Sequence, residues 1–154
     1  MERYSQSDWV SGYRNEVLKK TTEESIPLGN LIQAQSGKLI YIDFWASWCG
    51  PCLQELPDSY NLQIKLKDRN VVFIYVSIDH QVQSWRTAIN KHFKDDSNHY
   101  LLSPESLLAK AIGVPPIPRY MILNPEGNIL AWYAFKPSDP DIIHVFDRLL
   151  KDTH

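Results

Sequence analysis

Runs of hydrophobic residues separated by polar segments divide the chain into alternating strands and helices. Continuous runs rich in β-branched and aromatic residues predict strands at 39–45, 71–78, 119–123 and 129–135, with a short edge strand at 100–102. Apolar residues at helical spacing predict helices at 8–20, 52–67, 81–93, 103–113 and 139–151. Pro57 lies inside the second of these helices, so we expect a kink there.

The strand at 39–45 is the centre of the predicted fold. It is apolar on both alternating faces except for Asp43, which is typical of a strand covered on both sides in a parallel or mixed sheet. The helix and strand that follow imply a parallel pair with a right-handed connection. The turn residues Asn124–Asn128 instead predict an antiparallel hairpin. We therefore expect an α/β fold, a mixed central sheet with helices on both faces.

Composition limits this picture further. The chain has 154 residues and a formal net charge of −2, which suits one globular domain and gives no reason to expect nucleic-acid binding. Its apolar runs are too short to span a bilayer. Residues 1–8 are polar and contain no signal-peptide core, so we expect either a cytosolic protein or a trimmed form of a longer chain.

Both cysteines lie between the central strand and the following helix. Cys49 and Cys52 are separated by Gly50 and Pro51, and the proline suits a first helical turn. Unpaired N–H groups at a helix N-terminus favour a thiolate, so we expect Cys49 to be exposed and nucleophilic. Cys52 falls one turn deeper, where it is sheltered and placed to form a disulfide with Cys49.

Two other interpretations of this pair have less support. A zinc site needs four ligands, and the chain has no second cysteine pair and no histidines at ligand spacing from the first. A structural disulfide that encloses two residues would constrain the unfolded chain very little. The pattern therefore favours a redox-active pair, with neither metal nor cofactor.

The segment around the cysteines resembles a known family. Residues 43–52 (DFWASWCGPC) resemble the active-site segment of thioredoxins, and residues 53–57 (LQELP) resemble the TlpA, ResA and DsbE branch of thiol-disulfide oxidoreductases. The resemblance implies a thioredoxin-like fold over 37–154, with a central insertion that includes the helix at 81–93. Relatives of that branch usually open with a β-hairpin, whereas residues 1–36 here predict an N-terminal helix and a connecting segment packed on the domain. Whether the segment at 21–37 retains part of that hairpin is left open.

Two carboxylates are candidates to take the proton from Cys52. Desolvation in an apolar strand should raise the pKa of Asp43, and its position matches the buried aspartate of thioredoxins. Glu55 lies one turn beyond Cys52 and matches the active-site glutamate of the ResA branch. Each residue also has a non-catalytic interpretation. Asp43 could only cap a neighbouring polar group, and Glu55 could be a solvated residue on the helix surface.

Five residues are candidates to bind the partner protein: Trp48, Gly50, Pro51, Ile117 and Pro118. By the resemblance, Pro118 is the cis-proline that precedes a central strand beside the disulfide. The backbone at Ile117 and Pro118 should then pair with an extended substrate segment. Trp48 should cover the disulfide and contact partners, unless it packs on the end of the sheet.

Arg119 follows Pro118, where many relatives have threonine. An arginine that points towards the site would favour the thiolate, but an outward, solvated side chain is the simpler expectation.

The predicted function is thiol-disulfide exchange, with reduction of protein disulfides as the expected direction. The Gly-Pro dipeptide is that of thioredoxin, whose reduction potential is about −270 mV, rather than of strong oxidants such as DsbA, at about −120 mV. The resemblance implies the bacterial periplasm or cell envelope, where the task would be cytochrome c maturation or redox homeostasis, with a membrane thiol-disulfide transporter as electron donor. In the cytosol the donor would be thioredoxin reductase. A thiol peroxidase and a redox-sensing or metal-handling module are the alternatives.

Overall fold

The computed structural model describes residues 12–35, 37–94 and 97–152. The strands are β1 (Val17–Lys20), β2 (Ser25–Pro27), β3 (Leu39–Trp45), β4 (Val71–Ser77), β5 (His99–Leu101), β6 (Arg119–Leu123) and β7 (Ile129–Ala131). The helices are α1 (Leu28–Gln33), α2 (Gly50–Gln54), α3 (Leu56–Lys65), α4 (Val82–His92), α5 (Leu107–Ile112) and α6 (Ile142–Asp152). Strands and helices alternate along most of this chain, as the hydrophobic pattern predicts.

The strands form one sheet in the order β2-β1-β5-β4-β3-β6-β7. The pairs β3–β4 and β4–β5 are parallel, and the other neighbours are antiparallel, which confirms the predicted mixed sheet. β3 lies between β4 and β6, and all seven of its residues are buried. The central position of β3 therefore follows from its continuous apolar sequence.

Helices cover both faces of this sheet. Tyr41 and Ile42 are neighbours in β3, so their side chains point to opposite faces. The ring of Tyr41 contacts Phe146 of α6, with ring centroids 5.3 Å apart. Ile42 lines a small apolar cavity together with residues of α1 and α5, among them Leu31 and Leu108. The expected arrangement of a mixed sheet between two helical layers is confirmed.

The helix predicted at 8–20 is wrong for its last residues. Residues 12 and 13 are helical, but residues 14 and 15 form a turn and the chain then continues as a strand. Residues 17–20 form β1, which pairs with β2 through Leu18 and Ile26 and joins the main sheet through β5. Val17 is 54% exposed whereas Leu18 is 3% exposed, which is the two-residue period of a strand. The chain therefore has a β-hairpin at 17–27, so the hairpin is retained and the expected departure from the TlpA and ResA pattern is corrected here. Residues 1–11 lie outside the described residues.

Other element boundaries also differ from the sequence predictions. β5 lies between β1 and β4, so it is an interior strand rather than the predicted edge strand. The helix predicted at 52–67 is divided at Glu55 into α2 and α3, and Pro57 lies in the first turn of α3. A proline there loses no helical hydrogen bond, so the expected kink appears as a break between two helices. β7 ends at Ala131, earlier than predicted.

Candidate active site

The two cysteines lie where the chain leaves the central strand and begins a helix. Cys49 is the N-cap of α2, and Pro51 follows in the first turn. Cys49 and Cys52 form a disulfide with Cα atoms 5.3 Å apart. The backbone N–H of Cys52 donates a hydrogen bond to Sγ of Cys49 at 3.2 Å. α2 has only five residues, so its helix dipole is small. A Cys49 thiolate would therefore be stabilised mainly by this hydrogen bond.

Neither cysteine side chain is widely accessible in the disulfide form. Cys49 is 5% exposed and Cys52 is 2% exposed, and both belong to the hydrophobic core cluster. The expectation of an exposed Cys49 is therefore wrong for this state, because the turn and the sheet end enclose both sulfurs. A partner disulfide must contact the surface around Cys49 closely to reach its sulfur.

Asp43 is a buried carboxyl group in β3. It is 3% exposed, and its Oδ1 atom has no hydrogen-bond partner within the described ranges. Burial, with a smaller contribution from the negative charge of Glu55, raises the pKa of Asp43 to about 8. The predicted direction of the shift is confirmed. The group can therefore exchange a proton near neutral pH, which a general base requires.

Glu55 occupies the single position between α2 and α3. Its Oε1 accepts a hydrogen bond from the backbone N–H of Ser138 at 3.0 Å, and its Oε2 accepts one from the Ser138 hydroxyl at 2.7 Å. The charge of Glu55 acts on the pKa of Asp43, so the fold brings the two carboxyl groups within electrostatic range. Glu55 is half-buried and bonded to Ser138. It is therefore not the freely solvated surface residue that the alternative interpretation expected.

Ser138 was not predicted from the sequence. It lies 83 residues from Glu55 in the loop before α6, and the only local signal was a serine near the predicted start of a helix.

The residues predicted to bind a partner are at least partly accessible. Trp48 is 63% exposed, Gly50 and Pro51 are exposed, and Ile117 and Pro118 are half-buried. The peptide bond between Ile117 and Pro118 is cis, as the resemblance implied. The binding roles of all five, and the covering of the disulfide by Trp48, stay predictions.

Arg119 is buried, so the expected outward and solvated position is wrong. It is 4% exposed and pairs with Phe44 of β3 across the sheet. Its Nη2 donates to the backbone oxygen of Trp132 at 2.8 Å, and its guanidinium lies 4.1 Å from the ring centroid of Tyr133. These aromatic and carbonyl contacts replace the water that the cation loses. An effect of Arg119 on Cys49 stays a prediction.

A buried polar cluster beside the cysteine turn was also missed. The Asp79 cluster consists of Ser47, Ser77 and Asp79, and the carboxylate of Asp79 accepts hydrogen bonds from the other two residues. The available signal was an acidic residue directly after a buried strand, at the same sheet edge as the cysteines. Sequence reasoning treated Asp79 only as the end of that strand.

Comparison with known proteins identifies the family. A model of the thioredoxin-like family matches residues 37–129, which is more than half of the chain and includes the whole cysteine turn. The chain belongs to the thioredoxin-like family.

Individual relatives agree with this assignment. Thiol-disulfide oxidoreductase ResA of Bacillus subtilis is 26% identical over 139 residues, which cover 89% of this chain and 73% of ResA. Two structures of Bacteroides vulgatus proteins assigned as thiol-disulfide oxidoreductases are also similar. The solution structure has a TM-score of 0.76 at 27% identity, covering 88% of this chain and 86% of the other. The crystal structure has a TM-score of 0.73 at 31% identity, covering 86% and 89%.

Two further findings describe this member of the thioredoxin-like family. Within residues 12–35, 37–94 and 97–152, no group of three or more histidine, cysteine or acidic side chains is arranged to hold a metal ion. Across the same ranges, the helices are all too short or too polar to cross a membrane.

Proposed function

We propose that this protein reduces disulfide bonds of other proteins through a Cys49–Cys52 dithiol-disulfide cycle. Thiol-disulfide oxidoreductase activity is that of the relatives with the same fold, and this chain has the required cysteine pair. The observation that carries the proposal is the disulfide itself, formed at the start of α2 directly behind the central strand. The direction of electron flow, from this protein to its partner, is a separate part of the proposal and is tested below.

The first step joins the enzyme to its partner. The thiolate of Cys49 attacks one sulfur of a partner disulfide, a mixed disulfide forms, and the second partner sulfur leaves as a thiolate. The N–H of Cys52 donates to Sγ of Cys49 and so favours the attacking thiolate. The exposed ring of Trp48 supplies an apolar contact for the partner.

The second step releases the partner. Cys52 loses its proton to Asp43, directly or through water, and attacks Sγ of Cys49. The bond between Cys49 and the first partner sulfur breaks, that sulfur leaves as a thiolate, and the enzyme disulfide forms. Both partner thiolates take up a proton. The partner gains two electrons and two protons, which the two enzyme cysteines lose. The raised pKa of Asp43 supports its role as the base.

Glu55 supports this proton transfer from the loop side. Its carboxylate is held by Ser138 and raises the pKa of Asp43. We propose that Glu55 helps to return the proton from Asp43 to solvent, because it is half-buried whereas Asp43 is enclosed.

The compartment and the electron donor are proposals from resemblance. Similarity to ResA favours an envelope location, in which the partners would be proteins kept reduced for tasks such as cytochrome c maturation. A membrane thiol-disulfide transporter would then re-reduce the Cys49–Cys52 disulfide. In a cytoplasmic setting, thioredoxin reductase would do so.

The reduction potential of the Cys49–Cys52 pair tests the direction. The protein is equilibrated in glutathione or dithiothreitol buffers, and the redox state is followed by tryptophan fluorescence and checked by thiol alkylation. We expect a value near that of thioredoxin, about −270 mV. A value near about −120 mV, that of DsbA, would contradict the reducing direction.

A trapping experiment tests the mechanism. In Cys52→Ser the first step can proceed but the second cannot, so a mixed disulfide with a protein substrate such as insulin should accumulate. Cys49→Ser is the control and should trap nothing. Equal trapping by both variants would contradict Cys49 as the attacking residue.

A further inference from the structure

The Asp79 cluster connects the end of β4 to the turn that carries Cys49. The carboxylate of Asp79 accepts the Ser47 hydroxyl at 2.6 Å and the Ser47 backbone N–H at 3.0 Å. It also accepts the Ser77 hydroxyl at 2.6 Å, and the Ser77 oxygen accepts the backbone N–H of Asp79 at 2.9 Å. Asp79 is 3% exposed and Ser77 is fully buried, so water competes little for these hydrogen bonds.

The carboxyl group of Asp79 is surrounded by groups that donate hydrogen bonds. All three groups that face its carboxyl oxygens, the hydroxyl and N–H of Ser47 and the hydroxyl of Ser77, are donors. A carboxylate only accepts hydrogen bonds, and these three groups supply donors to both of its oxygens. Asp79 is therefore a buried acidic residue whose hydrogen bonds hold Ser47.

Ser47 is the residue of the cysteine turn to which the carboxyl group of Asp79 is bonded. The chain leaves β3 at Trp45, and the backbone N–H of Cys49 donates to the oxygen of Ala46 at 3.1 Å, which closes a tight turn around Ser47. Both the backbone and the side chain of Ser47 are bonded to Asp79, so the turn has little freedom to rotate. The position of Cys49 relative to the N–H of Cys52 depends on this turn.

We infer that Asp79 is a positioning residue for Cys49: by binding Ser47 it fixes the turn at 46–49 and keeps Sγ of Cys49 aligned with the N–H of Cys52. The role of that alignment in turnover rests on the proposed function. The alignment itself can be tested in the reduced protein without any partner.

A negative charge on Asp79 and the hydrogen bonds of Asp79 would have opposite effects on the pKa of the Cys49 thiol. A nearby negative charge disfavours a thiolate, so its removal alone would lower the pKa of Cys49. Loss of the fixed turn weakens the hydrogen bond from Cys52 to the thiolate, which would raise the pKa of Cys49. The sign of the change in an Asp79 variant therefore separates positioning from simple electrostatics.

The test uses Asp79→Asn, Ser47→Ala and Ser47→Thr in the full chain. The rate of Cys49 alkylation by iodoacetamide is measured against pH, which gives the pKa of the Cys49 thiol without a protein substrate. We expect Asp79→Asn to raise this pKa and to lower the alkylation rate below the pKa by about tenfold, the effect of one charged hydrogen bond. Ser47→Ala keeps every charge and should lower the rate by a smaller factor, whereas Ser47→Thr keeps the hydroxyl and should match wild type.

Ser59→Ala is the matched control. The Ser59 hydroxyl is also buried, but it bonds to the hydroxyl of Tyr75, away from the turn. It should leave the pKa of Cys49 unchanged even if it lowers stability, so a general loss of stability is not mistaken for positioning.

Several outcomes would overturn the inference. A lower pKa of Cys49 in Asp79→Asn with no change in Ser47→Ala would mean that only the charge of Asp79 matters. An unchanged pKa in both variants would mean that the turn does not depend on the cluster. If Asp79→Asn fails to fold, Ser47→Ala decides alone, since it supports the inference if the rate falls and overturns it if the rate does not. Failure of the wild-type protein to reduce insulin would contradict the proposed function and leave these results unaffected.

Discussion

The buried acid at Asp43 stands apart from the other carboxyl groups of the site. Asp79 is bonded by three donor groups and Glu55 by two, whereas Oδ1 of Asp43 has no partner among the described residues. With its pKa near 8, Asp43 is protonated in about ten molecules for each ionised one at pH 7. Proton acceptance from Cys52 should therefore become faster as pH rises towards 8.

At the residue scale we predict that Asp43→Asn slows the second step more than the first. Formation of the mixed disulfide needs only the Cys49 thiolate, whereas its resolution needs a base for Cys52. In stopped-flow measurements with wild type, the resolution rate should rise with pH, reach half of its maximum near pH 8 and level off about one pH unit higher, following the ionisation of Asp43. In the variant, resolution should be about tenfold or more slower at pH 8.

Glu55→Gln is the companion variant for this prediction. Removal of its negative charge should lower the pKa of Asp43, so the pH profile of resolution should shift to lower pH. Equal resolution rates in wild type and Asp43→Asn across the pH range would exclude Asp43 as the base.

Single residues of this site differ in how far the sequence could predict them. Cys49, Cys52, Asp43 and Glu55 lie in one continuous segment, so its spacing and its resemblance to thioredoxins and the ResA branch together indicated their relation. The burial of Arg119 depends on Trp132 and Tyr133 across a hairpin, and the contact of Glu55 depends on Ser138. These contacts join residues far apart in sequence, and no local pattern encodes them.

At the element scale, prediction succeeded where the periodicity was unambiguous. β3 and β4 are long apolar runs, and the break at Glu55 follows from the proline after it. β1 was mistaken for a helix because Val17 and Leu18 fit the helical spacing set by the apolar residues before them. A four-residue strand gives too few positions to separate a period of two from one of 3.6, and the pairing partner β5 is 80 residues away.

This correction makes a prediction about two adjacent residues. In a strand, Leu18 points into the core and Val17 points outward, whereas a helix would bury both on one face. Leu18→Ala should therefore lower the free energy of unfolding by about 2–5 kcal/mol. The matched variant Val17→Ala should change it by less than about 0.5 kcal/mol. Chemical denaturation measures both, and similar losses in the two variants would contradict the hairpin.

At the scale of the whole molecule, the topology gathers the site at one edge of the sheet. β3 and β4 are parallel, so their carboxyl ends, and with them the Cys49 turn and Asp79, lie together. β6 is antiparallel to β3, so its amino end with the cis Ile117-Pro118 bond lies at the same edge. Asp43 lies behind that edge in β3, the strand that pairs with both β4 and β6. The desolvation of its carboxyl group therefore depends on the complete sheet.

That burial couples the stability of the whole protein to pH. The pKa of Asp43 is about 8 in the folded protein and near its ordinary value of 3.8 when unfolded, so the folded state holds the proton more tightly. Between those two values the unfolded state binds fewer protons, and the free energy of unfolding must fall as pH rises. Below about pH 4 Asp43 is protonated in both states and its burial costs no ionisation energy. Above about pH 8 the loss of stability from burying the ionised group is nearly complete.

We therefore predict that Asp43→Asn is more stable than wild type at pH 8, by on the order of a few kcal/mol, and that the difference shrinks steadily towards pH 4. Urea unfolding of both proteins in the disulfide form at pH 4, 6 and 8 measures it, and Asp79→Asn is the contrasting variant. The buried carboxyl oxygens of Asp79 are bonded to donors, so its replacement should destabilise the protein at pH 8. A constant difference between wild type and Asp43→Asn from pH 4 to 8 would mean that Asp43 does not hold its proton in the folded state, and it would remove the physical basis for its role in the exchange cycle.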